Sequence, residues 1–430
     1  MTLEANNHPA AARVAVDIGS TVVKIAHVED GGNLISQEFY PRDFEAGIAR
    51  QVEGLLRSFD ISPDRPDVLV CSSANGGLRV GIACLTKRFS GAALRDQVLL
   101  AGANPVFVRD LDEKDGSNLG YVDLLLVGGG IDCDDAAPLK QRLKRFDPGS
   151  YRYGTLLFAG NRHLADLFCH RFPQAKVVPN PLAGELVSRT NSVFEVVRRA
   201  YLDDLVYKEG VSELRSNLSS GVRPTPEVVN LGFQRAVLNR SSIGVIAPCV
   251  LLDVGGATTD LHYTVEIVRD DSETKPSSAG CSVSRYVFTD LGIVASRDSL
   301  LLQLRSHPRL YEFLGQVLSG DVTETYRLFR EGEYQPSPEL LAYGCLFLAL
   351  DRFAHGRGPG LPSADLAKIA QVILTGGGAQ LLSEDVVARV MEMLVSTRSS
   401  KPVILIDRRY QVWVEGIAWS EHAIAATTNQ

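Results

Sequence analysis

The chain has 430 residues, of which 22% are charged and 45% hydrophobic, and its formal net charge is −7. This composition is typical of an ordinary α/β protein and excludes a disordered chain. The length predicts at least two domains with a cleft between them, and the acidic balance gives no general attraction to nucleic acid or to an anionic membrane.

The sequence indicates neither a secreted nor a membrane protein. Its seven cysteines are scattered and never spaced as CxxC, which favours reduced thiols over disulfides or zinc ligands. The N-terminal residues lack a basic region followed by an apolar run, so no signal peptide is expected. No stretch approaches the roughly 20 apolar residues that a membrane helix needs. We therefore expect a cytoplasmic protein with no nucleic-acid or membrane partner.

The first half of the chain predicts a hairpin and then an alternating α/β block. Residues 13–28 place β-branched residues on both sides of a tight Gly-Ser turn, so 1–66 is interpreted as the first part of one lobe. From Asp67 strands and helices alternate strictly, which predicts a parallel sheet covered by helices. We interpret 67–182 as an inserted α/β subdomain. Its predicted strands are 67–71, 78–84, 105–108, 122–127, 154–158 and 175–179.

The second half repeats the strand–turn–strand pattern. A helical connection is predicted over 183–244, and a strand at 245–254 begins a second lobe that spans 245–430. The two similar strand–turn–strand units predict the two halves of a duplicated fold. The other elements predicted in this lobe are helices at about 296–331, 337–355 and 411–426 and strands at 371–375 and 402–406.

The turn in the first unit has the composition of a phosphate site. Gly19 lets backbone N–H groups approach an anion closely, and the hydroxyls of Ser20 and Thr21 add donors. Asp17, at the end of the incoming strand, is suited to hold a Mg²⁺-bound water, and Lys24 supplies positive charge. Taken alone, this sequence is also typical of an ordinary hairpin turn.

The second turn, at 253–260, has the same character. Its glycines let a phosphate approach, its threonines supply hydroxyl donors, and its aspartates supply carboxylates for a metal or a water. The alternative is a hairpin whose aspartates only cap turns, but two such turns in one chain favour a phosphate clamp. The residues concerned are Gly255, Gly256, Thr258, Thr259, Asp253 and Asp260.

Two further glycine triplets follow predicted strands. The backbone of Gly376, Gly377 and Gly378 could approach the flat face of an adenine and its ribose. The triplet at 128–130 lacks the full G-x-G-x-x-G, and the aspartates just after it would repel an anion, so we interpret it as a tight strand-to-helix connection. His262 has no second histidine or cysteine at metal-ligand spacing, which favours a surface or core histidine over a zinc ligand.

The order and coarse spacing of these turns resemble the phosphate 1, phosphate 2 and adenosine motifs of the superfamily of sugar kinases, actin and heat-shock ATPases. Within it the chain resembles the glutamate mutase L (MutL) family, and departs from its pattern at Asn75 and at 353–355. The resemblance implies a duplicated actin-like (ribonuclease H-like) ATPase fold with an inserted α/β subdomain, and ATP and Mg²⁺ as cofactors. It rests on LLDVGGATTDLH, CSSANGGLRV at 71–80, VDLLLVGGGID at 122–132, TPEVV at 225–229 and DRRYQVWVEGIA at 407–418.

The family resemblance also implies a function. Its members are taken to be ATP-dependent reactivating partners of adenosylcobalamin-dependent mutases such as glutamate mutase, so mutase subunits are the expected partners, and a homodimer is one expected assembly. Asp17 and Asp253 would be catalytic and, with Asp260, would hold the metal, while the other turn residues bind nucleotide. Two alternatives stay open: a small-molecule kinase of the same superfamily, and a scaffold subunit that binds nucleotide without turnover.

Overall fold

The computed structural model describes residues 13–427, within which three five-stranded β-sheets form. Among the described residues no helix is both long and apolar enough to cross a lipid bilayer. Ser20, Asn75 and much of the connection predicted at 183–244 lie outside the description. The positions within 13–427 that it leaves out are 20, 30–31, 44, 63–64, 66, 74–77, 102, 114–118, 133–134, 183–192, 201–217, 219–220, 239, 271–282, 359 and 396–400.

The strands agree closely with those predicted from alternation, and β11 begins later than expected because Pro248, just before it, has no N–H to donate to a sheet. In chain order they are β1 Arg13–Ile18, β2 Val22–Val28, β3 Leu34–Pro41, β4 Val68–Ser72, β5 Arg79–Cys84, β6 Asn104–Asp110, β7 Tyr121–Gly129, β8 Arg152–Gly160, β9 Lys176–Val177, β10 Val222–Pro224, β11 Cys249–Val254, β12 Thr259–Thr264, β13 Val283–Phe288, β14 Gln371–Thr375 and β15 Val403–Ile406.

The helix expected at 296–331 is three helices. His307 takes an extended conformation ahead of Pro308, and that residue pair ends the first of them. The helices are α1 Ile48–Ser58, α2 Ala92–Leu100, α3 Ala137–Leu143, α4 Ala165–Arg171, α5 Thr225–Val237, α6 Arg297–Ser306, α7 Leu310–Val317, α8 Thr323–Glu331, α9 Pro338–His355, α10 Glu384–Leu394 and α11 Gln411–Thr427, and residues 193–200 are also helical.

The first and second sheets have the same topology. The first sheet has the order β10-β4-β1-β2-β3, and the second has the order β15-β14-β11-β12-β13. In each sheet, the three strands that come first in sequence form an antiparallel meander. The other two strands pair in parallel on the opposite side of the first strand. The central strands are buried and read as continuous apolar runs, as parallel strands covered on both faces do. The duplicated fold predicted from the two turns is therefore confirmed.

The third sheet forms the inserted subdomain. Its order is β6-β5-β7-β8-β9 and all its pairings are parallel, as the alternating pattern predicts. β4 requires a correction, since the sequence suggested that it opens this block, whereas it pairs with β1 in the first sheet. The local pattern of a buried parallel strand does not identify its partner, because the partner can lie anywhere in the chain.

Contacts divide the chain into two compact units. Unit 1 comprises Met1–Asn75, Leu202–Val245 and Arg409–Gln430, and unit 2 comprises Gly76–Tyr201 and Ile246–Arg408. The first sheet thus lies in unit 1, and the second and third sheets lie in unit 2. Helix α11 packs on α5 in unit 1, although the sequence placed it with the second lobe. Its own pattern predicts a helix but not the sheet that the helix covers.

Helix α9 is the central helix of the second half. It begins after Ser337, whose side chain accepts a hydrogen bond from the N–H of Leu340, and it ends at Gly356 in the left-handed conformation. Most of its residues are buried, and they pack with β11, β12 and β14 in one apolar cluster. This core fixes the ends of β11 and β14, where two of the predicted glycine-rich turns begin.

Candidate functional site

Asp17 lies at the end of β1, with its side chain only 1% exposed. It stands opposite Lys24 across the β1–β2 pair, and the Lys24 ammonium is 2.6 Å from its Oδ2. On the other side, the Thr225 hydroxyl donates to Oδ1 at 2.6 Å and the Cys71 thiol does so at 3.5 Å. A carboxylate removed from water in this way needs such partners, and together they fix its orientation.

Cys71 contributes a neutral group to this arrangement. Burial, reinforced by the charge of Asp17, raises the pKa of its thiol well above the ordinary value. The thiol therefore stays protonated at neutral pH and can donate to the Asp17 carboxylate. A buried cysteine of this kind is chemically inert, so we assign it no nucleophilic role.

The first turn is held from outside by Arg42. The Arg42 backbone N–H donates to the Thr21 carbonyl at 2.9 Å, and its guanidinium donates to the Gly19 carbonyl at 2.9 Å. The turn also closes on itself, since the Gly19 N–H donates to the Val22 carbonyl. A Cβ at position 19 would stand 2.9 Å from that carbonyl oxygen, so the tight turn requires glycine.

Two residues that fix the geometry of Asp17 and the first turn are not predicted from the sequence. Thr225 opens α5, and Arg42 follows β3. The segment TPEVV, which begins at Thr225, belongs to the family resemblance, although the sequence gives it no role. A signal for Thr225 was therefore present in the sequence, whereas nothing singled out Arg42.

The second turn is anchored to the segment before α6. Its Gly255 N–H donates to the Thr258 carbonyl at 2.9 Å, which closes the turn. The Gly256 carbonyl accepts the N–H groups of Val294 at 2.7 Å and Ala295 at 2.8 Å. The Ser296 hydroxyl donates to the carbonyl of Ala257 at 2.7 Å. This turn is thus a fixed loop at the carboxyl end of β11.

The polar residues of the second turn have different environments. The Thr258 hydroxyl donates to Asp260 Oδ2 at 3.3 Å, and its side chain is partly exposed. Thr259 is fully buried and donates to the Leu291 carbonyl at 2.9 Å. Asp260 is buried and accepts two N–H groups of Arg285, one at 2.9 Å. A phosphate contact from the Thr259 hydroxyl would require its bond to Leu291 to break, whereas Oδ2 of Asp260 accepts only the Thr258 hydroxyl among the described residues.

The glycines that follow β14 lie beside this second turn. β14 pairs in parallel with β11, with Thr375 opposite Asp253. A Cβ at Gly376 would stand 2.0 Å from the Asp253 carboxylate, and the Gly376 backbone has a φ of +85°. At Gly378 a Cβ would meet the Val254 side chain at 2.5 Å, whereas Gly377 faces open space. Unit 2 therefore brings together Asp253, the second turn and the third glycine-rich turn.

The predicted site residues are divided between the two units. Gly19, Thr21, Lys24 and Asp17 belong to unit 1, and the others that the structure describes belong to unit 2. Within the described ranges, no group of three or more His, Cys, Asp or Glu side chains could hold a metal by itself. A Mg²⁺ ion commonly takes one or two carboxylates and completes its shell with water and substrate phosphates, and within unit 2 the Asp253 carboxylate beside Gly376 fits such a site.

The structure also accounts for the glycine triplet at 128–130 and for His262. At the triplet 128–130, a Cβ on Gly129 would stand 2.5 Å from the Leu85 Cβ, and the Gly129 φ is +136°, so close packing explains its glycine. His262 is fully buried in β12, and burial, with the nearby Arg285 charge, lowers its pKa well below the ordinary value. A neutral core histidine, as the sequence favoured, agrees with this environment.

Comparison with known proteins identifies a family. The sequence model of the family described as "MutL protein" matches residues 13–427. A curated relative from Clostridium tetanomorphum, "Protein MutL", is 24% identical over 314 residues, which is 67% of this chain and 66% of that protein. The match thus spans slightly less than two thirds of the relative's length.

Several solved structures are similar to this protein over nearly the whole chain. The activator of the 2-hydroxyisocaproyl-CoA dehydratase from Clostridium difficile, with bound ADPNP, is 10% identical with a TM-score of 0.36, covering 97% of this chain and 98% of that one. A glucokinase from Streptomyces griseus, in complex with glucose and AMPPNP, is 12% identical with a TM-score of 0.32, covering 95% and 98%. The fold itself is shown by the strand order that the first and second sheets share.

Proposed function

This chain belongs to the MutL protein family, and on that basis we propose that it is an actin-like ATPase that binds ATP with Mg²⁺. The observation that carries the proposal is the contact between Asp253 and Gly376 at the ends of neighbouring strands. Any side chain at position 376 would displace the carboxylate, so a bare backbone and an acid lie side by side there. Such a pairing suits a ligand that presents phosphates and a metal together.

The proposed roles follow from the environments of the residues. Asp17 and Asp253 would hold Mg²⁺ and orient the attacking water, and Lys24 would offset phosphate charge. Thr258 is the proposed hydroxyl donor to the γ-phosphate, since the hydroxyl of Thr259 is buried and already bonded. Asp260 directs Oδ1 to Arg285, and its Oδ2 accepts the Thr258 hydroxyl at 3.3 Å, so we propose it as a further metal-directed carboxylate beside Asp17 and Asp253.

The remaining turn residues are proposed to bind the nucleotide through backbone groups and, at Ser20 and Thr21, also through their hydroxyls. They are Gly19, Ser20 and Thr21 of the first turn sequence, Gly255 and Gly256 of the second, and Gly376, Gly377 and Gly378 at the adenosine. Phosphoryl transfer to water depends chiefly on positioning and on stabilisation of charge, which carboxylates, an ammonium and N–H groups supply. Mg²⁺ would enter with the nucleotide and would offset the charge of its phosphates.

Isothermal titration with Mg-ATP tests nucleotide binding. We expect the wild type to bind and Asp253→Ala to bind at least about tenfold more weakly, because the variant loses its metal-directed carboxylate. Glu384→Ala is the matched control, since it removes the same charge from an exposed position at the start of α10. Absence of binding to the wild type, or equal binding by Asp253→Ala and Glu384→Ala, contradicts the proposal.

We further propose that hydrolysis serves an adenosylcobalamin-dependent mutase. The ATPase would drive the release of inactive cobalamin from the mutase, so that intact cofactor can replace it. Family membership supports this proposal, together with the match to a curated relative that carries the family's name. Glutamate mutase is the first client to examine.

Reactivation can be measured directly. A mutase holoenzyme loaded with inactive cobalamin is incubated with this protein, Mg-ATP and free adenosylcobalamin. We expect activity to return with the wild type and not with Asp253→Ala, with release of ADP and free phosphate. A phosphorylated metabolite would instead indicate a kinase, and negligible turnover in the presence of the mutase would indicate a scaffold subunit.

A further inference from the structure

The Lys24 ammonium in unit 1 lies against two aromatic rings of the C-terminal segment. Its Nζ is 4.9 Å from the centre of the Tyr410 ring and 5.9 Å from that of Trp413. Both distances fall within the range in which a cation is attracted to the face of an aromatic ring. The segment that supplies them, 407–418, resembled the family in sequence, but the proposed function gives it no role.

Tyr410 is held in an unusual conformation. Its backbone φ is +50°, in the left-handed region that a bulky residue rarely adopts, and it directly precedes α11. The side chain is 7% exposed and packs against Phe39 of β3, with ring centres 5.1 Å apart. Such strain persists only where the surroundings fix the residue, and it concentrates at functional sites.

At Trp413 the aromatic ring makes the contact with Lys24, whereas the indole N–H makes no hydrogen bond to a described residue. The side chain is 2% exposed, and its indole Nε1 has no hydrogen-bond partner among the described residues. A buried indole N–H without a partner is unfavourable, so a phenyl or aliphatic side chain would avoid this cost. The indole, however, has the ring face that attracts a cation most strongly.

These contacts leave the Lys24 side chain 15% exposed, between two ring faces and the Asp17 carboxylate. We propose that Tyr410 and Trp413 are positioning residues for Lys24. The start of α11 thereby fixes the position of the Lys24 ammonium beside Asp17. The attraction is stronger at such a site than in water because the ammonium is partly desolvated. The consequence for catalysis rests on the ATPase function proposed above, whereas the placement of Lys24 does not.

The placement can be tested in the nucleotide-free protein by lysine acylation followed by mass spectrometry. Lys401, with a side chain 78% exposed, is an internal reference in the same chain. We expect Lys24 to react at least about tenfold more slowly than Lys401 in the wild type. Tyr410→Leu and Trp413→Leu should each raise the rate at Lys24, while Tyr410→Phe, which keeps a ring face, should leave it low.

The catalytic consequence is tested by steady-state hydrolysis of Mg-ATP. We expect Tyr410→Leu to lower kcat about tenfold and Tyr410→Phe to retain it, with circular dichroism to confirm that both fold. If Tyr410→Leu does not fold, Trp413→Phe against Trp413→Leu provides the same comparison. Equal acylation of Lys24 and Lys401, or unchanged acylation in both leucine variants, overturns the proposal. A wild type without any hydrolysis overturns the ATPase function and leaves the acylation result standing.

Discussion

At the scale of single residues, the orientation of Asp17 is the feature on which the first turn depends. Its carboxylate accepts from an ammonium, a hydroxyl and a thiol, and only the ammonium belongs to the turn itself. The Thr225 hydroxyl approaches to 2.6 Å, and a hydrogen bond to a charged acceptor contributes more than one between neutral groups. Thr225 is therefore a positioning residue for the proposed metal-directed acid.

Thr225→Val should slow ATP hydrolysis by about 10- to 100-fold, because a hydrogen bond to a charged group contributes about 1.5–3 kcal/mol. Valine has nearly the shape of threonine, so the fold should persist. Phosphate release at saturating Mg-ATP measures the effect, and Thr225→Ser, which keeps the hydroxyl, should retain most of the rate. Wild-type activity in Thr225→Val would show that the hydroxyl does not position Asp17.

The residues of the first turn illustrate what a single sequence can predict. Asp17, Gly19 and Lys24 follow from a local pattern, since a strand, a tight turn and a second strand are read within a few residues of one another. Thr225 stands 208 positions from Asp17, and only the parallel pairing of β10 with β4 brings it close. No periodicity within either segment carries information on that pairing.

At the scale of elements, α5 and α11 approach each other through two glycines. A Cβ at Gly232 would stand 1.9 Å from the Val412 carbonyl oxygen, and one at Gly416 would stand 1.9 Å from the Val228 carbonyl oxygen. The two helix backbones are thus in direct contact, without side chains between them. The position of α11, and with it Tyr410 and Trp413, depends on this contact.

Gly416→Ala should destabilise unit 1 by about 1–3 kcal/mol or more, because the added methyl group forces the helices apart. Urea unfolding followed by circular dichroism measures the change. The matched control is Gly315→Ala in α7, where a Cβ would meet nothing within 4 Å and helix propensity should add about 0.5–1 kcal/mol of stability. Equal effects at the two positions would contradict the close helix contact.

The end of α9 carries a buried acid that should make stability depend on pH. Burial alone would raise the pKa of Asp351, but the hydrogen bond from His307 at 3.3 Å and the charges of His355 and Arg357 outweigh it and hold the pKa below the ordinary 3.8. The Arg357 guanidinium is 3.1 Å from the carboxylate. The folded protein therefore binds fewer protons at this group than the unfolded chain does.

Asp351 should contribute stability above about pH 4, and this contribution should disappear as the pH falls through its lowered folded-state pKa. The difference in unfolding free energy between the wild type and Asp351→Asn should therefore be larger above about pH 4 than in stronger acid. Urea titrations at about pH 5 and at about pH 3 measure the two differences. A difference independent of pH would show that the carboxylate charge is not responsible.

At the scale of the whole molecule, two buried arginines join α2 of the inserted subdomain to the later part of unit 2, one at the second sheet and one at the connection after α9. Arg285 of β13 holds Asp260 and donates to the Leu99 carbonyl at the end of α2, at 2.8 Å. Arg95 of α2 donates to the Gly360 carbonyl at 2.5 Å and pairs with Asp96. The subdomain that carries α2 is thereby linked to the strand that follows the second turn.

Arg285→Met should destabilise unit 2 by about 3–5 kcal/mol, because it leaves the Asp260 carboxylate buried without its partner. Thermal unfolding measures the loss. Arg327→Met is the control, since Arg327 pairs with Glu324 and Glu331 on the exposed face of α8, and it should not change the midpoint measurably. Similar midpoints for the two variants would mean that the buried pair does not support unit 2.

Most of the architecture could be predicted from the sequence, because the strand and helix patterns are regular and two similar turns indicate a duplication. The errors concern which sheet or unit an element joins, and not whether the element forms. The sequence predicts β4 as a strand and α11 as a helix, and both exist. However, β4 is part of the first sheet and α11 lies in unit 1 with that sheet, whereas the sequence grouped each with its neighbours in the chain. Sheet partners and helix docking depend on long-range contacts, which a local pattern does not encode.

The contribution of Arg409–Gln430 to unit 1 has a consequence for how the protein is made. A ribosome produces β1 to β4 early and α11 only after all of unit 2 has emerged, so the nascent first sheet lacks the helix that contacts α5 throughout most of synthesis. Its apolar face then needs shielding from other chains, since exposed hydrophobic surface and unpaired strand edges promote aggregation. Expression yield should therefore depend on chaperone supply during translation more than on the stability of the finished molecule.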